Sequence, residues 1–172
     1  MPTHRKFAQF QKGTVPPRMS EIPEGGVCLS VFIILSKHNS PDQVLMGRIN
    51  KNASWDHIGA LDPTRVERHS KGWMLPSSHL MLGEDPRQAA SRILKEQLGL
   101  NDQPVEGPRV FSEISGPSNH WDLEFIFSGE RSDAPSHEAW SELKFVDLTR
   151  TRREEIARFH EDILAHVGKW KV

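Results

Sequence analysis

The stretch that decides the fold is GWMLPSSHLMLGEDPRQAASRILKEQLGL, Gly72–Leu100, which contains the clearest helix signal in the chain. Asp85 suits the N-cap, Pro86 suits the first helical position and Gln88 suits the third position of a capping box. An apolar stripe follows at helical spacing, and Gly99 suits a left-handed C-cap. The pattern therefore predicts a loop that leads into a capped amphipathic helix.

One side of this helix has the spacing of a metal site, but not its full set of carboxylates. Positions 92, 93, 96 and 97 are three or four residues apart and so lie along one side of the helix. Carboxylates at such positions converge on Mg²⁺ or Mn²⁺ with little distortion. Here only Glu96 is a carboxylate, because Ile93 cannot bind a metal and Gln97 offers only a neutral amide oxygen.

The spacing of this stretch resembles the Nudix box, and we call Gly72–Leu100 the box segment. The box pattern is a glycine, five residues, a glutamate, seven residues and then Arg-Glu-aliphatic-any-Glu-Glu-any-Gly-aliphatic. The positions that match are Glu84, Arg92, Leu94, Glu96, Gly99 and Leu100. The positions that depart from the pattern are Ser78, Ile93 and Gln97.

The resemblance implies an architecture. We expect an α/β (α+β) protein with the Nudix-type α/β/α sandwich and a mixed β-sheet, with the box helix on one face and the C-terminal helix on the other. Residues 1–26 are polar and rich in proline, and we interpret them as an N-terminal arm. Residues 27–172 then form a single Nudix-like domain.

The resemblance also implies a site in which a metal ion assists attack of water on a nucleoside diphosphate derivative. The catalytic candidates are Glu96, Arg92, which would brace Glu96, and Glu142. The candidate metal ligands are Glu96, Glu84, the Ser77 carbonyl and Glu138, and the ion would be Mg²⁺ or Mn²⁺. The candidate substrate-binding residues are Ser78, His79 and Trp140.

Two functions are compatible with this pattern. The first is a divergent metal-dependent pyrophosphohydrolase with weak or altered activity. The second is a catalytically inactive Nudix domain that binds a nucleotide-like ligand or a protein partner. The loss of two of the three helix glutamates favours weak or absent hydrolysis over robust activity, since each lost ligand removes about 3–4 kcal/mol of transition-state stabilisation. An unrelated structural domain is the third alternative.

Hydrophobic patterning predicts the remaining elements. Residues 50–71 form a long polar connection that contains Trp55 and His57, and it is either functional or a tolerated insertion. A short extended piece begins at Trp73 and stops at Pro76. The predicted strands are Val27–Leu35, Gln43–Ile49, Val110–Ile114, His120–Ser128 and Leu143–Leu148. The predicted C-terminal helix is Thr151–Val167.

Composition narrows the function classes. The 172 residues are 36% hydrophobic and 26% charged, with a net charge of −1, which indicates a globular chain and disfavours generic binding to duplex nucleic acid. The one cysteine, Cys28, excludes a disulfide framework and suits a small buried side chain. Without a spanning apolar run or a secretory signal, we expect no membrane association and a cytoplasmic location. A homodimer is left open.

Overall fold

The centre of the protein is a strand whose side chains are buried on both faces. A computed structural model describes residues 26–115, 120–157 and 159–170. The predicted arm, apart from Gly26, lies outside the described residues. Strand β1 spans Val27–Lys37, and every residue of its Val31–Leu35 stretch is buried. Its β-branched and aromatic composition suits a strand covered on both sides.

Nine further elements follow β1 along the chain. They are β2 (Ser40–Ile49), α1 (Trp55–Ile58), α2 (Pro63–His69), β3 (Ser77–His79), α3 (Pro86–Leu98), β4 (Glu106–Ser115), β5 (His120–Arg131), β6 (Trp140–Asp147) and α4 (His160–His166). A short 3₁₀ turn, Arg153–Glu155, precedes α4. The described residues contain no helix long and apolar enough to cross a membrane.

The six strands form one mixed sheet. The order is β4-β5-β1-β2-β6, and β3 pairs with the early part of β1. β1 and β5 run parallel over the whole length of β1, whereas the other pairs are antiparallel. β1 therefore has β5 on one side, and on the other side β3 near its start and β2 near its end.

Alternate residues of β1 point to two different helices. Val31, Ile33 and Leu35 pack in one cluster with the apolar stripe of α3. Phe32 and Ile34 pack in a second cluster with Ile163 and Leu164 of α4 and with part of the box segment. The sheet thus lies between α3 and α4, which confirms the predicted α/β/α sandwich with the box helix and the C-terminal helix on opposite faces.

The predicted C-terminal helix is wrong over its first half. Ile156 is extended and forms a parallel bridge with Trp73, and Phe159 has a φ of 76°. Trp73 donates to the Glu155 carbonyl and accepts from the Ala157 N–H, so these backbone groups bond across the fold rather than along a helix. The helix therefore starts only at His160.

Two other predictions are adjusted. The polar connection 50–71 contains α1 and α2, and Trp55 on α1 is almost completely buried in a third cluster with Met74 and Trp140. The extended piece that begins at Trp73 continues past Pro76 into β3. The other strands overlap their predicted ranges: β1, β2, β4 and β5 are longer at one or both ends, and β6 starts three residues earlier and ends one residue earlier than predicted.

Candidate functional site

Helix α3 is capped as the sequence predicts. The Asp85 side chain accepts from the N–H groups of Arg87 and Gln88 at 2.8 and 2.9 Å, and the Gln88 side chain accepts from the Asp85 N–H at 3.0 Å. Gly99 closes the helix with a φ of 68°, a conformation that glycine adopts without steric cost. These caps fix both ends of α3, and so they fix which side chains point towards β3.

Arg92 and Glu84 form a buried ion pair beside β3. One edge of the guanidinium meets both carboxylate oxygens: Nε lies 2.7 Å from Oε1 and Nη2 lies 2.9 Å from Oε2. Arg92 also donates to the His79 carbonyl at 2.9 Å and to the Ser78 hydroxyl at 3.3 Å, and Glu84 also accepts from the Met81 N–H. The pair is a bidentate, charge-assisted contact in which each partner neutralises the other.

Glu96 is one turn after Arg92 and is less closely bound to it. Its Oε2 lies 3.9 Å from Arg92 Nη1, and its side chain is 20% exposed. The sequence predicts that Arg92 braces Glu96. In the structure the forked contact goes to Glu84 instead, and Glu96 lies at the outer side of the guanidinium.

Gln97 joins α3 to the start of β3 and to α1. Its amide Nε2 donates to the Ser77 carbonyl at 2.7 Å and to the Ile58 carbonyl at 2.9 Å, and its Oε1 accepts from the Ser77 N–H at 3.0 Å. The side chain is fully buried. The amide therefore occupies the Ser77 carbonyl that the sequence assigns to a metal ion.

Ile93 completes the apolar side of α3. It is fully buried in the cluster that contains Val31, Ile33 and Phe127. At the position where the Nudix box has a glutamate, this chain thus has a core residue, and burial of its side chain stabilises the fold by about 1.5–3 kcal/mol.

The acidic segment before β6 does not join the helix carboxylates. Glu138 is an exposed turn residue, and its carbonyl accepts from the Asn50 side chain. Glu142 lies on β6, where its carboxylate is 2.6 Å from Lys144 Nζ and 3.9 Å from Arg48 Nε. Within the described ranges, no group of three or more Asp, Glu, His or Cys side chains is arranged to hold a metal ion.

The predicted substrate-binding residues are separated by the sheet and the core. Ser78 is buried and its hydroxyl bonds to Arg92, whereas His79 is half-buried and lies opposite Ser30 on the other face of the sheet. Trp140 is 6% exposed, its ring packs edge-on against Trp55, and its indole N–H donates to the Gln97 carbonyl at 2.7 Å. The ring of Trp140 is thus engaged by the core rather than presented for stacking on a base.

Solved structures share this arrangement of sheet and helices. The Nudix domain of Shewanella oneidensis NrtR, complexed with ADP ribose, has a TM-score of 0.58 at 15% identity and covers 91% of this chain and 93% of its own. This chain has the Nudix fold. A MutT protein from Methanosarcina mazei has a TM-score of 0.58 at 13% identity, with 87% of this chain and 96% of that chain covered. A MutT Nudix hydrolase from Burkholderia pseudomallei has a TM-score of 0.56 at 14% identity, with coverages of 82% and 98%.

At these identities the similarity to Nudix structures concerns the fold alone. No family model matches the sequence, and no curated protein sequence is similar to it.

Nudix hydrolases generally use divalent metal ions, and the side chains of this box segment do not fit one. A divalent ion needs several oxygen ligands that are free to converge. Here the Ser77 carbonyl accepts from the Gln97 amide, Glu84 is held by Arg92, and Ile93 has no ligand atom. The polar groups that would surround an ion instead satisfy one another.

A second group of candidate residues lies on β5 and β1 and matches no motif in the sequence. Asp122 and Glu124 lie on β5, and both are buried, as is Ser30 on β1. The signal was present in the sequence of β5, because residues 122, 124 and 126 alternate onto one face and Ile126 on that face is a core residue. Acidic residues at the buried positions of a strand are uncommon and point to a special environment.

Proposed function

We propose that this protein is a Nudix-fold domain that binds a nucleotide-like ligand and does not hydrolyse it by the metal mechanism that the box pattern implies. One observation carries this proposal: the Gln97 amide donates to the Ser77 carbonyl at 2.7 Å and accepts from the Ser77 N–H. An N–H donor in contact with this carbonyl excludes a cation from the same lone pair. The Gln97 amide therefore stands where the box pattern has a carboxylate ligand, and its N–H contacts the carbonyl that would contact the ion.

The ligand class is supported by one of the similar structures. The NrtR Nudix domain is complexed with ADP ribose, so the fold accommodates a nucleoside diphosphate derivative. Of the predicted substrate-binding residues, Ser78 and Trp140 are buried and bonded within the protein, whereas the half-buried His79 aligns with Ser30 on the other face of the sheet.

A hydrolase remains the second candidate because Glu96 is retained and partly exposed. Glu96 alone supplies one carboxylate, and further ligands would have to come from Glu138 or Glu142. Such a site would need the segment before β6 to move, since in this structure Glu142 pairs with Lys144 and Arg48.

The test is a parallel measurement of binding and turnover. Wild type and Glu96→Gln are incubated with ADP ribose and with nucleoside triphosphates, with Mg²⁺, with Mn²⁺ and with a chelator. We expect thermal stabilisation by a ligand that persists in chelator, with about 2.7 kcal/mol gained at a hundred times Kd. Metal-dependent phosphate or nucleotide release that Glu96→Gln abolishes would overturn the proposal in favour of the hydrolase.

A Gln97→Glu variant tests the observation that carries the proposal. A carboxylate cannot donate to the Ser77 and Ile58 carbonyls, so we expect the free energy of unfolding to fall by about 1–3 kcal/mol in metal-free buffer. The matched control is Gln88→Glu, which keeps an acceptor for the capping box on the exposed side of the same helix. Unchanged stability of Gln97→Glu would mean that the amide is not required at this position.

A further inference from the structure

One edge of the sheet ends in a strand with large apolar side chains in solvent. β4 is the last strand on its side, and among the described residues only β5 pairs with it. Val110 is 49% exposed and Ile114 is 65% exposed, and both lie on the α3 side because Val110 aligns with Phe125. A single exposed hydrophobic residue is ordinary, but two on an unpaired edge strand mark a place where another strand can pair.

The opposite edge of the same sheet differs from β4. β6 ends the sheet beyond β2, and it carries the ion pair of Glu142 and Lys144, with 2.6 Å between the charged atoms. Natural sheets protect their edges with charged side chains of this kind. In the part of the chain that the structure describes, the exposed large hydrophobic residues are Val110, Ile114 and Leu82, and Leu82 lies in the loop before α3. The exposed apolar residues of the sheet are therefore concentrated on β4.

The charges of β4 suit a second copy of the same strand. Arg109 is exposed and Glu113 is half-buried. Both lie on the α4 side of the sheet, since they align with Ile126 and Asp122 of β5. In an antiparallel pair of two β4 strands centred on Phe111, Arg109 of each copy lies opposite Glu113 of the other. The twofold symmetry of such a pair thus brings opposite charges together twice.

This contact does not require Glu113 to be without a partner in its own chain. A carboxylate has two oxygens with about four acceptor positions, so it can accept from an arginine and keep another bond. Burial, and after it Asp122 and Glu113, raise the pKa of Glu124 to about 8. A guanidinium brought opposite Glu113 therefore also offsets repulsion among these neighbouring carboxylates.

The same register covers the apolar side chains of β4. With Phe111 at the centre, Ile114 lies opposite Pro108 of the second copy and diagonal to its Val110. Diagonal neighbours on paired strands are about 7–8 Å apart, within reach of long side chains. Phe111 remains bound to its own chain, because its ring stacks on His166 of α4 with 4.3 Å between the ring centroids. Pairing thus covers both exposed residues without disturbing the core.

We propose that β4 is the interface of a homodimer, in which the β4 strands of two copies pair antiparallel about a twofold axis at Phe111. The two sheets then continue into each other across the axis, and the two contacts between Arg109 and Glu113 set the register. The contact is short, so we expect a weak dimer with a Kd of about 1–100 μM. This proposal goes beyond the proposed function and does not rest on it, because it uses no residue of the box segment.

The test is a charge exchange between copies. Sedimentation equilibrium of the full chain over about 1–500 μM should show the average mass rising from one chain towards two. Arg109→Glu and Glu113→Arg each place like charges opposite one another, so each variant should associate at least about tenfold more weakly. An equal mixture of the two variants should regain wild-type association, because both contacts in the mixed dimer then join opposite charges.

A second variant keeps the proposal testable if Glu113→Arg does not fold. Ile114→Lys changes a side chain in solvent and should weaken association at least about tenfold, whereas Leu82→Lys, at the exposed hydrophobic residue outside the sheet, should leave it unchanged. A monomer at every concentration, a mixture of folded charge variants that stays monomeric, or equal effects of the two lysine variants would each overturn the proposal. If the protein is monomeric and the β4 amides are protected from hydrogen exchange, residues 1–25 occupy the edge instead.

Discussion

Two buried glutamates on opposite sides of the sheet show how differently one residue type can be used. The Glu84 side chain is 9% exposed and Glu124 is 7% exposed as a residue, so burial does not distinguish them. Both carboxylate oxygens of Glu84 meet one edge of Arg92, and Glu84 also accepts from a backbone N–H, whereas the charged groups that act on Glu124 are Asp122, Glu113 and Asp162. The partners, and not the degree of burial, decide whether a buried carboxyl is neutralised by an ion pair or has its pKa raised by its neighbours.

The box pattern alone suggests that the unusual polar groups lie in the box segment, whereas the structure also has one on β5. In the box segment, the Gln97 amide bonds to the Ser77 backbone and Arg92 bonds to Ser78 and Glu84, whereas Glu96 is partly exposed. β5 matches no motif, yet Glu124 Oε2 on it is one of three buried side-chain atoms of the described residues that lack a hydrogen-bond partner, with His69 Nδ1 and Glu161 Oε2. Satisfied polar networks stabilise and specify structure, whereas an unsatisfied one needs a further explanation.

The largest expected effect comes from removing the partner of Glu84. Arg92→Met leaves a buried carboxylate without its cation, so the free energy of unfolding should fall by about 3–5 kcal/mol. Urea denaturation at pH 7 measures it. The double variant Arg92→Met/Glu84→Gln should recover much of the loss, because no charge then remains buried. A double variant as unstable as Arg92→Met would show that packing of the arginine, rather than charge balance, dominates.

We expect an intermediate effect from Glu124, which should make the free energy of unfolding depend on pH. The folded-state pKa of about 8 lies above the ordinary 4.5, so the folded protein holds a proton that the unfolded chain has lost. Stability must then fall as pH rises from 4.5 to 8, by about 2 kcal/mol between pH 6.5 and 8. The lowered pKa values of His69 and His160 act below pH 6.5, and the raised pKa of Cys28 acts from about pH 9 upwards.

Glu124→Gln isolates this slope. The variant cannot ionise, so its stability between pH 6.5 and 8 should change by about 2 kcal/mol less than that of wild type. Glu138→Gln, exposed on a turn, should keep the wild-type slope. If the unfolding free energies of wild type and Glu124→Gln depend on pH in the same way, the pKa of Glu124 is not raised, and Glu124 does not differ from Glu84 in this respect.

The smallest effect is expected from Glu96. Its nearest contact with Arg92 is 3.9 Å and it is partly exposed, so Glu96→Gln should change the free energy of unfolding by less than about 0.5 kcal/mol. Thermal and urea unfolding should agree on this value. If the free energy of unfolding falls by more than about 2 kcal/mol, Glu96 contributes to the Arg92 network as strongly as Glu84 does.

Local patterns were sufficient for most of the fold. The caps at Asp85 and Gly99 and the apolar stripe between them predict α3 correctly, and alternation predicts β5. The interruption at Ile156 was not predictable in this way, because it arises from pairing with Trp73, a residue distant in sequence. The helical pattern is continuous over 151–167, but two backbone hydrogen bonds with Trp73 hold the chain in an extended conformation there.

For the candidate site, the sequence predicts which residues lie near one another but not which of them bond to each other. Spacing along α3 correctly brings Arg92 and Glu96 to one side, but whether Arg92 forks onto Glu84 or Glu96 depends on the path of the loop that carries Glu84. Likewise, the sequence indicates that Gln97 is a weak metal ligand, and only the approach of α1 supplies the Ile58 carbonyl that completes its bonding. Residue identity sets what a side chain can bond, and tertiary contacts select the partner.

The backbone bonds between the box segment and the chain that precedes α4 also bear on the order in which the protein matures during synthesis. Trp73 forms backbone hydrogen bonds with Glu155 and Ala157. The Leu75 N–H donates to His160 Nδ1, 85 residues later in the sequence. Chains emerge from the ribosome N-terminus first, and contacts of high sequence separation form late. The entrance to β3 thus acquires its full set of partners only after the residues around His160 have been translated, whereas the caps of α3 need nothing beyond Gly99.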